Sequence, residues 1–186
     1  MPLAARLLLP LIAVAAVVAS LCAQAGVMGA LGAALALVMI TIAVIDSSSF
    51  VIPDVLSMAG LALALVNAAA ETSTIETMIL AIATALARGG VLASGFLLIR
   101  SVYAQVRGVE GIGLGDVKLA AVAGAWLDWQ MMPIAVEIAA SSALTIYVVR
   151  HLLFGRPLRA VERVPFGLFF APAIWVAWLL EAMLMF

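Results

Sequence analysis

Charge is the scarcest thing in this chain. Only 10% of its 186 residues are charged, 67% are hydrophobic, and the mean hydropathy is +1.30. A soluble domain is roughly a quarter charged and about half apolar. A chain this short keeps much of its surface exposed, so no soluble core would hide so much apolar area. That excludes a soluble enzyme, a disordered segment and a nucleic-acid binder. Cysteine and histidine are scarce too, with a single Cys22 and a single His151. One cysteine rules out an internal disulfide, a CxxC motif and a four-cysteine zinc site. One histidine rules out a histidine-rich metal centre. No metal or cofactor is expected, and any chemistry must rest on carboxylates, hydroxyls or backbone.

What the chain does have is near-continuous apolar runs of about 20 residues, the length that crosses a bilayer as a helix. The alternating ten-residue segments of a membrane barrel are missing. The runs predict seven spans, at 3–21, 27–45, 55–70, 77–99, 117–127, 132–149 and 166–185. The fold class is therefore all-α, a polytopic transmembrane helix bundle. With no internal repeat and no linker, 1–186 reads as a single membrane domain. The fifth span is short for a hydrocarbon core of about 30 Å; it tilts little, begins before Asp116, or sits in a cavity. Arg6, an apolar run and Ala23-Gln24-Ala25 also fit a cleaved signal peptide. The length of that run and the span that follows at once favour a retained first helix.

Positive charge sets the orientation. Arg6, Arg100, Arg107, Lys118, Arg150, Arg156, Arg159 and Arg163 flank the spans on one side, which leaves Arg88 as the ninth Lys or Arg, inside span four. The opposite segments carry Glu71, Glu76 and Asp128. The N-terminus is expected in the cytoplasm and the C-terminus outside, in a multi-pass protein of the bacterial inner membrane with the lipid bilayer as its surroundings.

Two carboxylates share the cytoplasmic depth. Asp46 closes the second span, and Asp116 opens the fifth, after Gly111-Ile112-Gly113-Leu114-Gly115. Ionisable groups at such a depth are costly and tend to be functional. Two carboxyls within hydrogen-bonding distance share a proton, because both cannot ionise cheaply. One then acts as base on a water while the other, as acid, polarises a carbonyl. Taken singly, each aspartate reads as a helix-end residue, with Asp116 suited to the N-terminal dipole of its span. The glycines shift the balance, since Gly113 and Gly115 allow close backbone approach just before Asp116.

The run Gly113-Leu114-Gly115-Asp116-Val117-Lys118-Leu119, followed by Gly124-Ala125-Trp126, resembles the signature of the type IV prepilin peptidases. These are intramembrane aspartyl proteases of the Gly-X-Gly-Asp class. Asp46, with Pro53-Asp54 at the seventh and eighth positions after it, resembles that family's first catalytic motif. Pro165-Phe166-Gly167 matches the short motif before its last span. The resemblance covers residues 41–186. It implies Asp46 and Asp116 as the catalytic pair, Gly113 and Gly115 as the loop shaping the site, and Pro165, Phe166 and Gly167 as a supporting element. It implies an aspartic-type endopeptidase that removes basic leader peptides from prepilins or pseudopilins at the cytoplasmic face, in type IV pilus or type II secretion systems. Many members begin with a cytoplasmic domain bearing paired CxxC motifs, associated with N-methylation. Nothing of that kind precedes Asp46, so a short form that cleaves without methylating is expected. Ser47-Ser48-Ser49 stands where the family often has further polar or charged residues.

Other residues have other readings. Asp54 is a rival first aspartate, but Pro53-Asp54 suits a helix start. Lys118 is two positions from Asp116 and so points to another face. Glu110, Asp54 and Glu162 are acids that could attract a basic leader. Arg88 should face the bundle interior, and its depth predicts a structural contact with Glu137, alongside the alternative of a carbonyl-lined cavity. Two competing functions remain: a small ion- or proton-coupled transporter, which would want acids at mid-membrane and a repeat, and a non-catalytic subunit of a secretion system. Oligomeric state is not legible.

Overall fold

The computed structural model describes residues 3–109, 111–154 and 165–184. Glu110, Glu162 and the basic run 156–163 lie outside the described residues. Seven helices follow one another: α1 (Leu3–Ala23), α2 (Val27–Ser49), α3 (Asp54–Ala70), α4 (Ile75–Arg107), α5 (Leu114–Trp126), α6 (Met131–Phe154) and α7 (Gly167–Leu184). The described residues contain no strand. Each expected apolar run has become one helix. By length and composition α2, α4, α7 and Met131–Leu153 of α6 can each cross a membrane; Leu8–Ala23 and Asp54–Ala70 are apolar but shorter.

Local chemistry sets the helix ends. Phe50 closes α2 in the left-handed region (φ 54°), and its N–H donates to the Asp46 carbonyl. The chain then runs extended to Pro53, the N-cap of α3 (φ −63°). Thr74 and Thr77 cap α4 reciprocally, each hydroxyl accepting from the other's backbone N–H at 3.3 Å. That satisfies two otherwise orphaned donors. At its far end α4 runs eight residues past the apolar stretch expected for it, to a left-handed Gly108 (φ 69°). Hydropathy marks where a helix leaves lipid, not where its hydrogen bonding stops.

The short fifth helix is the centre of the bundle. At 13 residues and 1.5 Å rise each it is roughly 20 Å long, well short of a bilayer core. It needs no bilayer length because protein surrounds it. Leu119, Ala120, Val122, Ala123 and Ala125 are buried in one apolar cluster with residues of α2 and α7, and the helix packs chiefly on α4 and α3, with α7 also in contact. Its crossing with α4 is closest at Gly89 and Gly124: a Cβ at Gly124 would stand 2.5 Å from the Arg88 carbonyl oxygen. Small residues that let backbones touch are the main way helices associate where lipid removes the hydrophobic drive.

That crossing decides what Arg88 meets, and the expectation of Glu137 is corrected. Arg88 forms an ion pair with Asp128, in the turn just after α5. Glu137 lies exposed on α6. The depth estimate ignored rotation about the helix axes: α4 packs on α5 and α3, and α6 packs chiefly on α7. The α4–α5 contact therefore delivers Asp128 to Arg88. Glu181 of α7 adjoins Asp128, and Asn67 of α3 donates to Glu71 at 3.4 Å. A cluster of polar groups thus ties α3, α4, α5 and α7 together at the end of the bundle opposite Asp46 and Asp116.

Candidate active site

Asp46 sits in the last turn of α2 and is only 5% exposed. Burial of that degree demands partners for the carboxylate. They come from the start of α7, where the first N–H groups of a helix have no intrahelical acceptor. The Leu168 N–H donates to Asp46 Oδ2 at 2.9 Å, and the Gly167 N–H adds a second backbone contact. Asp46 therefore caps α7 from another helix, 122 residues away in sequence, with the charge at the positive end of the dipole. Pro165-Phe166-Gly167 builds that end. The Phe166 carbonyl accepts from Phe170 at 2.9 Å. The Phe166 ring packs on Phe170 (centroids 5.4 Å) and Phe96 (6.4 Å), which docks the start of α7 on α4. Glycine at 167 leaves room for the Asp46 contact: a Cβ there would lie 2.9 Å from Asp46 Oδ2, so the carboxyl would have to shift.

Asp116 is in the first turn of α5. Its Oδ2 accepts from the N–H of Gly113, the N-cap, at 3.2 Å. This is half of a capping box, with an N3 carboxylate reaching back to the N-cap. The loop before it is held from α4. Arg100 donates to the Ile112 carbonyl, and Gly111 adjoins the Tyr103 ring so closely that a Cβ on it would stand 2.6 Å from Tyr103 Cδ1. Both residues lie on the stretch of α4 beyond the expected span. Sequence reading missed them, although an Arg and an aromatic three residues apart just past an apolar run was a usable signal.

The two carboxyls share one end of the bundle: Ile52 lies against Gly115, the neighbour of Asp116, and against Gly167, which adjoins the Asp46 carboxyl. Among the described residues neither makes an ion pair. Each is held by backbone N–H groups, which orient a carboxylate without neutralising it. Asp54 is different. It is the first residue of α3, and its Oδ1 meets Lys118 Nζ at 2.5 Å, both side chains largely exposed. The rival aspartate is thus engaged in a surface pair with Lys118. Ile52 was also missed. It is buried beside Gly115 and Gly167 while its neighbours Phe50 and Val51 are exposed.

Comparison with known proteins bears on this geometry. The sequence pattern of the type IV leader peptidase family matches residues 33–149. That is more than half of the chain. It takes in Asp46, Gly113, Gly115 and Asp116, and stops before Pro165-Phe166-Gly167. A prepilin leader peptidase/N-methyltransferase of Aeromonas hydrophila is 37% identical over 87 residues, 45% of this chain and 29% of that protein. Proteins of the same name from Burkholderia pseudomallei strain 1026b and Pseudomonas putida are 45% identical over 69 residues and 40% over 86, spanning 22% and 29% of their lengths. The matched stretch thus spans about a quarter of the length of these relatives. No solved structure matches. A family pattern running from α2 into α6, on a bundle of apolar helices, identifies the chain as a member of the type IV leader peptidase family and an integral protein of the bacterial inner membrane.

Proposed function

We propose that this chain is an intramembrane aspartyl endopeptidase that removes the basic leader of prepilins or pseudopilins at the cytoplasmic face. The observation that supports the reading is that Asp46 and Asp116, on different helices at one end of the bundle, are each held by backbone N–H groups, with no ion pair to either among the described residues. The dyad shares one proton. The ionised member takes a proton from water, and the protonated member gives its proton to the scissile carbonyl oxygen as the water oxygen bonds to the carbon. Collapse of the tetrahedral intermediate returns a proton to the departing amine. The polar positions that ring this end include Arg100, Arg107 and Lys118, while Glu71, Glu76 and Asp128 belong to the other. By the positive-inside rule the dyad end faces the cytoplasm. A substrate's apolar segment stays in the bilayer while its basic leader stays in water, so membrane depth brings one peptide bond to the dyad. Positioning of this kind supplies much of a rate acceleration.

These 186 residues are assigned cleavage without methylation, since the single Cys22 offers none of the paired cysteines linked with that step in the family. One experiment tests the whole reading. The protein is co-expressed with a pilin-like substrate, and the product's N-terminal peptide is analysed by mass spectrometry. Cleavage after the basic leader is expected, with an unmodified amine, and Asp46→Asn or Asp116→Asn should abolish it. Normal cleavage by both variants would sink the dyad.

A further inference from the structure

We propose that Ile52 is the positioning residue that sets the separation of the two carboxyls, a role that rests on the peptidase reading above. Ile52 lies in the extended segment between α2 and α3. Both neighbours in front of it are exposed, Phe50 at 54% and Val51 at 59%, whereas Ile52 is 6% exposed. One residue of a surface segment is therefore turned into the bundle. Two constraints hold it there. Phe50 adopts the left-handed conformation with its N–H on the Asp46 carbonyl (3.0 Å), a strained state for a bulky residue. Pro53 follows and keeps Ile52 out of the helical region.

The side chain reaches the surroundings of both aspartates. A Cβ placed on Gly115 would stand 3.1, 3.2 and 3.3 Å from Ile52 Cβ, Cγ1 and Cδ1, and Gly115 adjoins Asp116. A Cβ on Gly167 would stand 2.8 Å from Ile52 Cδ1 and 2.9 Å from Asp46 Oδ2. Ile52 thus stands between the first turn of α5, which carries Asp116, and the first turn of α7, which holds Asp46. Branching at Cβ makes it stiff about χ1, so it behaves as a spacer of defined width. Both glycines are bare where it passes, and the fit has no slack on either side.

Deleting the spacer leaves a space into which packed neighbours partly relax. The first turns of α5 and α7 then close up and the carboxyls approach. A misplacement near 1 Å is enough to cost about a hundredfold in rate. Ile52→Ala should therefore lower kcat on a leader peptide by about that factor, with KM little changed. Closer carboxyls split their two titration steps further apart, so the acid and alkaline limbs of the pH–rate profile should separate. Ile52→Val, which removes Cδ1 alone, should fold and give a smaller loss in the same direction.

The glycines supply a sharper test. All three nearest neighbours of a Gly115 Cβ belong to Ile52, whereas a Gly167 Cβ also meets the Asp46 carboxyl. Ile52→Ala keeps the Cβ 3.1 Å from a Gly115 methyl but clears Cγ1 and Cδ1, so it should restore part of the activity lost in Gly115→Ala. In Gly167→Ala it clears the Cδ1 contact at 2.8 Å but leaves the Asp46 carboxyl at 2.9 Å, so rescue there should be the smaller. The same wider splitting should be seen without substrate, by isotope-edited infrared titration of the aspartates in purified protein. If wild type cleaves but folded Ile52→Ala and Ile52→Val keep its kcat and its pH limbs, the spacer is wrong and the peptidase reading stands. Loss of activity with unmoved limbs and no coupling to Gly115 would also overturn it, as simple loss of packing. If wild type does not cleave, the peptidase reading fails, and the infrared splitting still decides the role of Ile52.

Discussion

The two ends of this bundle use carboxylates in opposite ways. At one end Asp128 is paired with the Arg88 guanidinium, with Glu181 and Glu71 close by. At the other, Asp46 and Asp116 are held by the backbone of Leu168 and Gly113 and spaced by an isoleucine. An ion pair lowers the energy of a charge and removes its reactivity. Backbone N–H groups orient a carboxyl while leaving it free to exchange a proton. The lesson is that an intramembrane acid is to be judged by its partners more than by its depth.

The largest contrast should come from charge-removing substitutions at the two ends. Asp46→Asn and Asp116→Asn should each reduce leader cleavage to background in membranes containing normal amounts of protein. Asp128→Asn should cleave at a near-normal rate per folded molecule, and so should Asp54→Asn, whose aspartate belongs to the exposed pair with Lys118. If Asp54→Asn were dead and Asp46→Asn active, the first aspartate would have been misassigned.

Within the dyad end, Gly167→Ala should be the more damaging glycine substitution. Its methyl meets both the Asp46 carboxyl and Ile52, while that of Gly115→Ala meets Ile52 alone among its nearest contacts. Assayed side by side, Gly115→Ala should keep the greater residual kcat. The reverse order would mean that α7 shifts more readily than α5.

At the opposite end, Arg88→Met should change stability in place of chemistry. The Arg88 side chain is 16% exposed and that of Asp128 50%. Solvent therefore screens the pair, and a cost of about 1–3 kcal/mol is expected, below that of a fully buried pair. Thermal unfolding in detergent should register the drop while kcat per folded molecule is retained.

The smallest effect belongs to Glu71, which caps α3 outside the apolar helix. Partial desolvation, then the Asp128 charge, hold its carboxyl above the ordinary range, against the opposing influence of Asn67 and Arg88. A raised acid binds its proton more tightly in the folded state, so ionisation penalises the fold as pH rises above the ordinary carboxylate range. Glu71→Gln keeps the acceptor for Asn67 and removes the charge. It should match wild type in acid and be slightly more stable at neutral pH, which paired melting curves at the two pH values would reveal.

Much of this was legible in the sequence because hydropathy is a local property. Every apolar run became a helix, and Asp46, Asp116 and Gly167 could be marked as a candidate set from their motifs. Local signals failed where hydrogen bonding outlasted apolarity. The extension of α4 through Arg100 and Tyr103 to Arg107, which holds the loop before Asp116, is the clearest case.

By itself, then, the sequence determined a membrane-embedded helical chain with two acids at a common depth, since composition and charge position act residue by residue through transfer free energy. Tertiary structure alone decided that Arg88 meets Asp128 and not Glu137, that α5 is short because protein encloses it, and that Ile52 stands between Gly115 and Gly167. These depend on rotation about helix axes and on contacts between residues far apart in the chain. Close packing of whole helices sets both, and no one-dimensional pattern records them.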